Sequence, residues 1–394
     1  MKVPLLIISA SARWLAQSAR RRGLHFISAD YFGDWDTQQA GPNQVVVRLG
    51  DVSKIAKEVG AESILIGGGM ENHWEALAET TTHCRILGFA PDHIQRIRDP
   101  NLWFQALHQA GLAVPRVVLP PERPPHGRWL QKPVRSGGGR EITEWIFGQI
   151  PGAEVYLQQF APGLDASAVY IGAAGKSYLL GVSWQSIGTE VSGTPAFQYS
   201  GSIGPIDMTP PVRNQLVAIG GIVAQQFGGI GLFGVDFKLE GETVWPVEVN
   251  PRPTASVELY ERAGLGSIFD WHWSACLGLP VEPIAETTLN AVKRFTGVHG
   301  KRIVYWPGPG ELIVGAEVFD RLLAGVQTGT LADIPSPATV LKQGDPLVTM
   351  FASGGDIETV RLALLANSQK LIADLLQMGA KPVTFKVQKS HATG

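Results

Sequence analysis

The sequence predicts a mixed fold of two or three parts, α/β at its start and α+β beyond, and three observations carry that reading. Its 394 residues exceed the size at which one hydrophobic core keeps growing. From the start to about residue 92, short apolar runs alternate with helical stretches, the pattern of a parallel sheet covered by helices. From about 115 to 285 the chain is rich in strands with only two helical stretches, and the motifs with chemical character gather there.

In the first part, Leu5 to Ile8, Leu24 to Ser28, Gln44 to Leu49 and Ser63 to Ile66 read as buried strands. Gly67-Gly68-Gly69 follows the last of these, where glycines permit a tight turn or the close approach of a ligand. The segment after the first strand, Ser9-Ala10-Ser11-Ala12-Arg13, lacks the glycine spacing of a dinucleotide site, which counts against a nicotinamide dehydrogenase. The proline-rich passage Pro115 to Pro125 cannot form a regular helix and marks entry into a new module. Helices are predicted near Pro211 to Phe227, Val257 to Leu277 and Ile357 to Met378.

Composition narrows the function classes. Hydrophobic residues make up 44% and charged residues 17%, which fits a chain that buries a large core. A formal charge of −2 gives no electrostatic case for nucleic acid or an acidic membrane, and the run Arg20-Arg21-Arg22 reads as the solvated end of a helix. Two cysteines, Cys84 and Cys276, cannot build a disulfide framework or a four-ligand zinc site, so a reducing, cytoplasmic setting is expected. The opening apolar run is too short for a signal peptide, and no stretch has the length of a membrane span.

Three constellations bear chemistry. In Trp129 to Arg140 a strand ends on Lys132 and runs into Gly137-Gly138-Gly139, which sets an ammonium beside a loop whose amides can hold phosphate oxygens; an ordinary hairpin turn is the alternative. In Glu154 to Ser167 an apolar strand can offer backbone groups to an adenine edge, and Asp165 can accept from ribose hydroxyls; a strand and a Pro-Gly turn would look the same. The third is the sharpest: Phe233 to Lys238 and Val244 to Arg252 read as two strands joined at Glu240-Gly241-Glu242. Side chains alternate along a strand, so Glu248, Asn250 and Arg252 share a face that Asp236 can join. Oxygen ligands in apolar strands are costly to bury without a positive partner and suit Mg²⁺ held with nucleotide phosphates; a buried hydrogen-bonded cluster closed by Arg252 is the alternative.

Taken in order, these motifs resemble the ATP-grasp superfamily of carboxylate–amine and carboxylate–thiol ligases. Ala29 to Asp36, Ile66 to Asn72 and Asn250 to Ser256 are similar to a poorly characterised branch of predicted ATP-utilising enzymes, whose members resemble ligases found near genes for methanopterin- and methanofuran-type one-carbon carriers. The resemblance implies an ATP-grasp fold with a Rossmann-like pre-ATP-grasp domain at 1–92 and an ATP-grasp domain at 93–285. Within the latter, a small nucleotide-clamping lobe spans about 115–165 and a larger metal-binding lobe about 166–285; a β-rich module with a terminal helix follows at 286–394.

By the same resemblance, ATP and Mg²⁺ (or Mn²⁺) are the cofactors. Lys132 contacts phosphates and Gly137, Gly138 and Gly139 close over them, while Gln158, Gln159, Phe160 and Ala161 bind adenine and Asp165 the ribose. Asp236, Glu248 and Asn250 hold metal, and Arg252 lies near the transferring phosphoryl group. The implied reaction activates a carboxylate as an acyl-phosphate for attack by an amine, in the synthesis of a pterin- or furan-type one-carbon carrier. The implied partners are small-molecule acid and amine substrates, with a homodimer as an assembly many members use. A non-turnover ATP sensor or scaffold, a carboxylase and a phosphotransferase are the rivals. One departure stands out: the superfamily's phosphate-contacting lysine before the entry helix is replaced here by Pro100, with Arg96 and Arg98 as the nearby cations. The run Ile334 to Met350 resembles the module that closes biotin-carboxylase-like enzymes, but it has no lysine flanked by methionines, so a biotin-carrier role is rejected.

Overall fold

A computed structural model of the protein describes residues 4–149, 151–152, 154–188, 196–281, 297–308 and 310–379. The first apolar runs become strands β1 (Leu5–Ile8), β2 (Phe26–Asp30), β3 (Asn43–Val45), β4 (Ser63–Ile66) and β5 (Arg85–Leu87), paired in parallel in the order β3-β2-β1-β4-β5. Leu6, Ile7, Ile8, Ile64 and Leu65 are fully buried because helices cover both faces. The order reverses at β1, so a crevice opens beyond the carboxyl ends of β1 and β4, the usual ligand-facing edge of such sheets. Ser9-Ala10 and Gly67-Gly68-Gly69 line that edge, joined by Ala10 N–H donating to Gly68 O at 2.7 Å.

Two expected strands shift. The Leu24 to Ser28 run pairs over Phe26–Asp30, and Gln44 to Leu49 contributes only Asn43–Val45 because Leu49 already begins a short helical turn, Leu49–Asp51. Cys84 and Cys276 are both buried free thiols.

The Pro91–Arg98 and Pro100–Gln109 helices lead to a small antiparallel sheet of β6 (Val117–Val118), β7 (Trp129–Pro133), β8 (Thr143–Glu144) and β9 (Val155–Gln159), in the order β6-β9-β7-β8. A larger sheet follows from β10 (Leu164–Ala173), β11 (Lys176–Ile187), β12 (Tyr199–Gly204), β13 (Gly231–Glu240), β14 (Thr243–Asn250) and β15 (Val298–Tyr305). Beyond a two-stranded pair of β16 (Leu312–Ile313) and β18 (Val340–Leu341), β17 (Leu331–Ala332) and β19 (Pro346–Gly354) complete the large sheet. Its order is β14-β13-β10-β11-β12-β15-β19-β17, so strands from the last third of the chain extend the sheet that carries Asp236 and Glu248. The boundary expected at 285/286 lies outside the described residues.

Alternation sorts the large sheet's faces. Ala168, Tyr170 and Val182 pack against Leu216, Ile219 and Val223 of the Pro210–Gln226 helix. On the other face Val169 and Ile171 meet Tyr260, Ile268 and Trp271. The helix expected over Val257 to Leu277 is broken into Val257–Tyr260, a wide turn Glu261–Leu265 and Ile268–Cys276, because Gly264 takes a left-handed φ of 91° inside it. Ile357–Gly379 forms the expected long helix.

Candidate active site

The continuation of that second face, past Val169, is polar. Asp236 and Glu248 stand directly opposite each other on β13 and β14, and Asn250 lies opposite Gly234 one pleat along. Directly opposed residues point to the same side, so the two carboxylates crowd together. Asn250 Nδ2 donates to Asp236 Oδ2 and Gln185 Nε2 to Asp236 Oδ1, both at 2.9 Å. Burial, then the Glu248 charge, raises the Asp236 carboxyl to about 6 against the opposing hydrogen bonds of Ser167 and Asn250.

Positive charge comes from the small lobe and the entry helices. Lys132 is buried near the end of β7, and its ammonium makes no hydrogen bond or ion pair among the described residues. Burial lowers its pKa, with Glu248 opposing and Arg98 adding to the shift. Arg98 closes the last turn of the Pro91–Arg98 helix, and its Nη1 pairs with Glu248 Oε1.

The glycine loop lies against the large sheet and the first domain. Tyr199 N–H donates to Gly138 O at 3.0 Å. Gly139 has a left-handed φ of 76°, and a Cβ there would run into the Phe197 carbonyl, so no other residue fits. A Cβ on Gly137 would lie 3.4 Å from Glu71 Oε1. Arg135, just before the loop, pairs with Glu75 and sits 4.0 Å over the Trp74 ring.

Arg252 does not stand free beside Asp236 and Glu248. Its Nε and Nη2 donate to Glu71 Oε1 at 3.1 and 2.8 Å, and Nη2 also reaches Asn250 Oδ1 at 3.0 Å. Glu71 follows Gly67-Gly68-Gly69, is fully buried, and leaves Oε2 without a partner. Burial pushes the Glu71 carboxyl up, but Arg252 and Arg98 outweigh it and hold it below the ordinary range.

The nucleotide-base residues are more committed than expected. The amides of Gln159 and Phe160 donate to Arg116 O and Arg128 O, at 2.8 and 2.9 Å. Gln158 is buried with its Nε2 3.4 Å from Val247 O. Ala161 is buried, and the Arg128 guanidinium covers the Phe160 ring at 3.7 Å. Asp165, expected to accept from ribose hydroxyls, is paired with Lys238 at 2.8 Å. The structure thus brings Lys132, Gly137 to Gly139, Asp236, Glu248, Asn250 and Arg252 around one cleft, and sets Gln158 to Ala161 and Asp165 at its flank. His272, in contrast, is a joint: Nδ1 accepts from Leu232 N–H at 2.8 Å, Nε2 meets Leu87 O at 3.2 Å, and burial lowers its pKa to about 4.

Two carboxylates and an amide fit a magnesium ion that nucleotide phosphates complete. Among the described residues no cluster of three or more His, Cys, Asp or Glu could hold a metal alone.

Sheet order, glycine loop and acidic hairpin together define one cleft between two antiparallel sheets. Residues 97–256 match the family described as the ATP-grasp domain. A formate-dependent phosphoribosylglycinamide formyltransferase of Acinetobacter baumannii is 32% identical over 110 residues, 28% of this chain and 27% of that protein. The chain spans about a quarter of the length of the curated relatives it matches. Among solved structures, the biotin carboxylase domain of Hydrogenobacter thermophilus 2-oxoglutarate carboxylase, in complex with MgADP, ADP and bicarbonate, superposes with a TM-score of 0.70 at 14% identity, covering 95% of this chain and 94% of that one. Thermotoga maritima N5-carboxyaminoimidazole ribonucleotide synthetase gives 0.68 at 16% identity, covering 93% and 98%. The ATP-grasp fold is therefore shared well beyond the matched domain. Among the described residues no helix is long and apolar enough to cross a membrane.

Proposed function

We propose that this chain is an ADP-forming, ATP- and magnesium-dependent ligase that activates a carboxylate as an acyl-phosphate for attack by an amine. The observation that carries the reading is the opposed pair Asp236–Glu248, half-buried on the cleft face within electrostatic reach of Lys132 and Arg252. Magnesium bound there supplies charge neutralisation for the transferring phosphoryl group. Asp236, Glu248 and Asn250 hold it, Lys132 binds phosphate oxygens, and the Gly137 to Gly139 loop shields the acyl-phosphate from water. Arg252 orients the reacting carboxylate.

An amine rather than a thiol suits the second substrate, because Glu71 Oε2 is a buried acceptor with no donor and an ammonium would satisfy it. Phe197 and Tyr199, against the glycine loop, suit a flat aromatic substrate of the pterin or furan kind in the making of a one-carbon carrier. The rest of the acceptor segment expected over Gly193 to Gly204 lies partly outside the described residues.

ADP release with MgATP, measured against carboxylates and amines offered singly and in pairs with Glu248→Ala as the blank, tests the reading. Release that needs both substrates and vanishes in the blank is expected. Release with the acid alone would replace the ligase by a phosphotransferase or carboxylase, and ATP binding without turnover across the panel would replace it by a sensor.

A further inference from the structure

Pro100 opens the Pro100–Gln109 helix. A buried cation sits two residues earlier. The Arg98 side chain is 7% exposed and forks between three partners: Nη1 to Glu248 Oε1, and Nη2 to Val134 O at 3.2 Å and Ser136 O at 2.8 Å. Val134 and Ser136 lead from Lys132 into the glycine loop, so one planar group ties the hairpin carboxylate to the strap that closes the cleft. Its Nε is buried without an acceptor, beside a small cavity lined by Pro100, Trp103, Tyr156 and Glu248.

We propose that Arg98 is the second cation of the phosphate site and a positioning residue that couples metal binding at Glu248 to the placement of the glycine loop. The proposal rests on the nucleotide-and-metal reading above and deepens it. Glu248 needs a counter-charge when no metal is bound, and Arg98 supplies one on the oxygen a divalent cation would use. Metal and arginine therefore compete for Oε1. Once displaced, the guanidinium keeps its Nη2 anchor on the two loop carbonyls, and Nη1 and Nε become free for anionic oxygens. Only a forked group serves both ends, so a lysine at 98 would lose one of them. A simple brace would have no reason to leave a buried N–H unpaired.

The test uses the full chain with Arg98→Met and Arg98→Lys. Mn²⁺ binding without nucleotide is read by electron paramagnetic resonance, and MgATP and adenosine binding by calorimetry. The expected result has opposite signs: Arg98→Met binds Mn²⁺ several-fold more tightly, since its competitor is gone, and MgATP roughly 10- to 100-fold more weakly, while adenosine is unchanged. Arg98→Lys falls between, and it carries the test by itself if Arg98→Met does not fold. Equal losses for MgATP and adenosine would reduce Arg98 to a fold brace. Wild-type affinities throughout would remove its role and leave the ligase reading intact, and absence of MgATP binding by the wild type would end both.

Discussion

Two ionic clusters border the same large sheet, and they differ in how completely their hydrogen-bonding atoms are used. At the junction of the first domain with the last third of the chain, Arg13 is 2% exposed and uses all three guanidinium nitrogens. They bond Glu258 at 2.6 and 2.8 Å, Asp333 at 2.8 and 3.2 Å, and Gln17 at 3.2 Å. Lys301 Nζ adds a contact to Glu258 Oε2 at 3.1 Å. At the cleft, among the described residues, the Lys132 ammonium has no hydrogen bond or ion pair, Glu71 Oε2 and Arg98 Nε are orphaned, and Asp236 is raised to about 6 by burial and Glu248. A saturated cluster has nothing left to offer a ligand and works as a fastener. An unsaturated one is tolerated when a ligand completes it.

Arg13→Ala sharpens the contrast most. It leaves Asp333 beside Asp36 without its arginine and Glu258 with only Lys301 and Arg262, and a loss of about 3–5 kcal/mol in urea unfolding is expected. Nucleotide affinity of the fraction that remains folded should hold. Weaker nucleotide binding at unchanged stability would erase the distinction between the clusters.

Asp236→Asn should do the reverse. The folded pKa lies above the unfolded value of about 3.9, so the native state binds this proton more tightly, and the stability it contributes is present below that value and lost as pH rises through about 6. Asn removes the loss. Thermal stability without ligand at pH 7 is expected to rise, by about 1–2 kcal/mol, with a flatter profile between roughly pH 4 and 6, while turnover drops. A destabilised variant with the wild-type pH profile would count Asp236 among the fasteners. The smallest effect belongs to Asp165→Asn: its partner Lys238 is partly solvated, so stability should change by less than about 1 kcal/mol and ATP affinity by a few-fold. A larger fall in ATP affinity would return Asp165 to a direct ribose contact.

The cleft was legible where chemistry repeats at short range. Asp236, Glu248, Asn250 and Arg252 announce a shared face because strand periodicity fixes where side chains point. Partnerships between distant segments were not: Glu71 meets Arg252 across 181 positions, and Arg13 meets Glu258 across 245. The arginine that opens the Arg13–Arg21 helix carries no local sign of its partner. The pairing of β12 with β15 and of β15 with β19 was hidden for the same reason, since register between remote strands depends on how intervening segments pack. The broken helix after Ser256 was within reach, because Gly264 interrupts an otherwise helical run.

That late pairing also has a biosynthetic side. While the polypeptide emerges from the ribosome, β12 presents a bare row of amides and carbonyls until β15 arrives, and β15 waits in turn for β19. Chaperone dependence and aggregation during translation should therefore track the interval in which that edge is uncovered, and a nascent chain halted before β15 would be the sticky species.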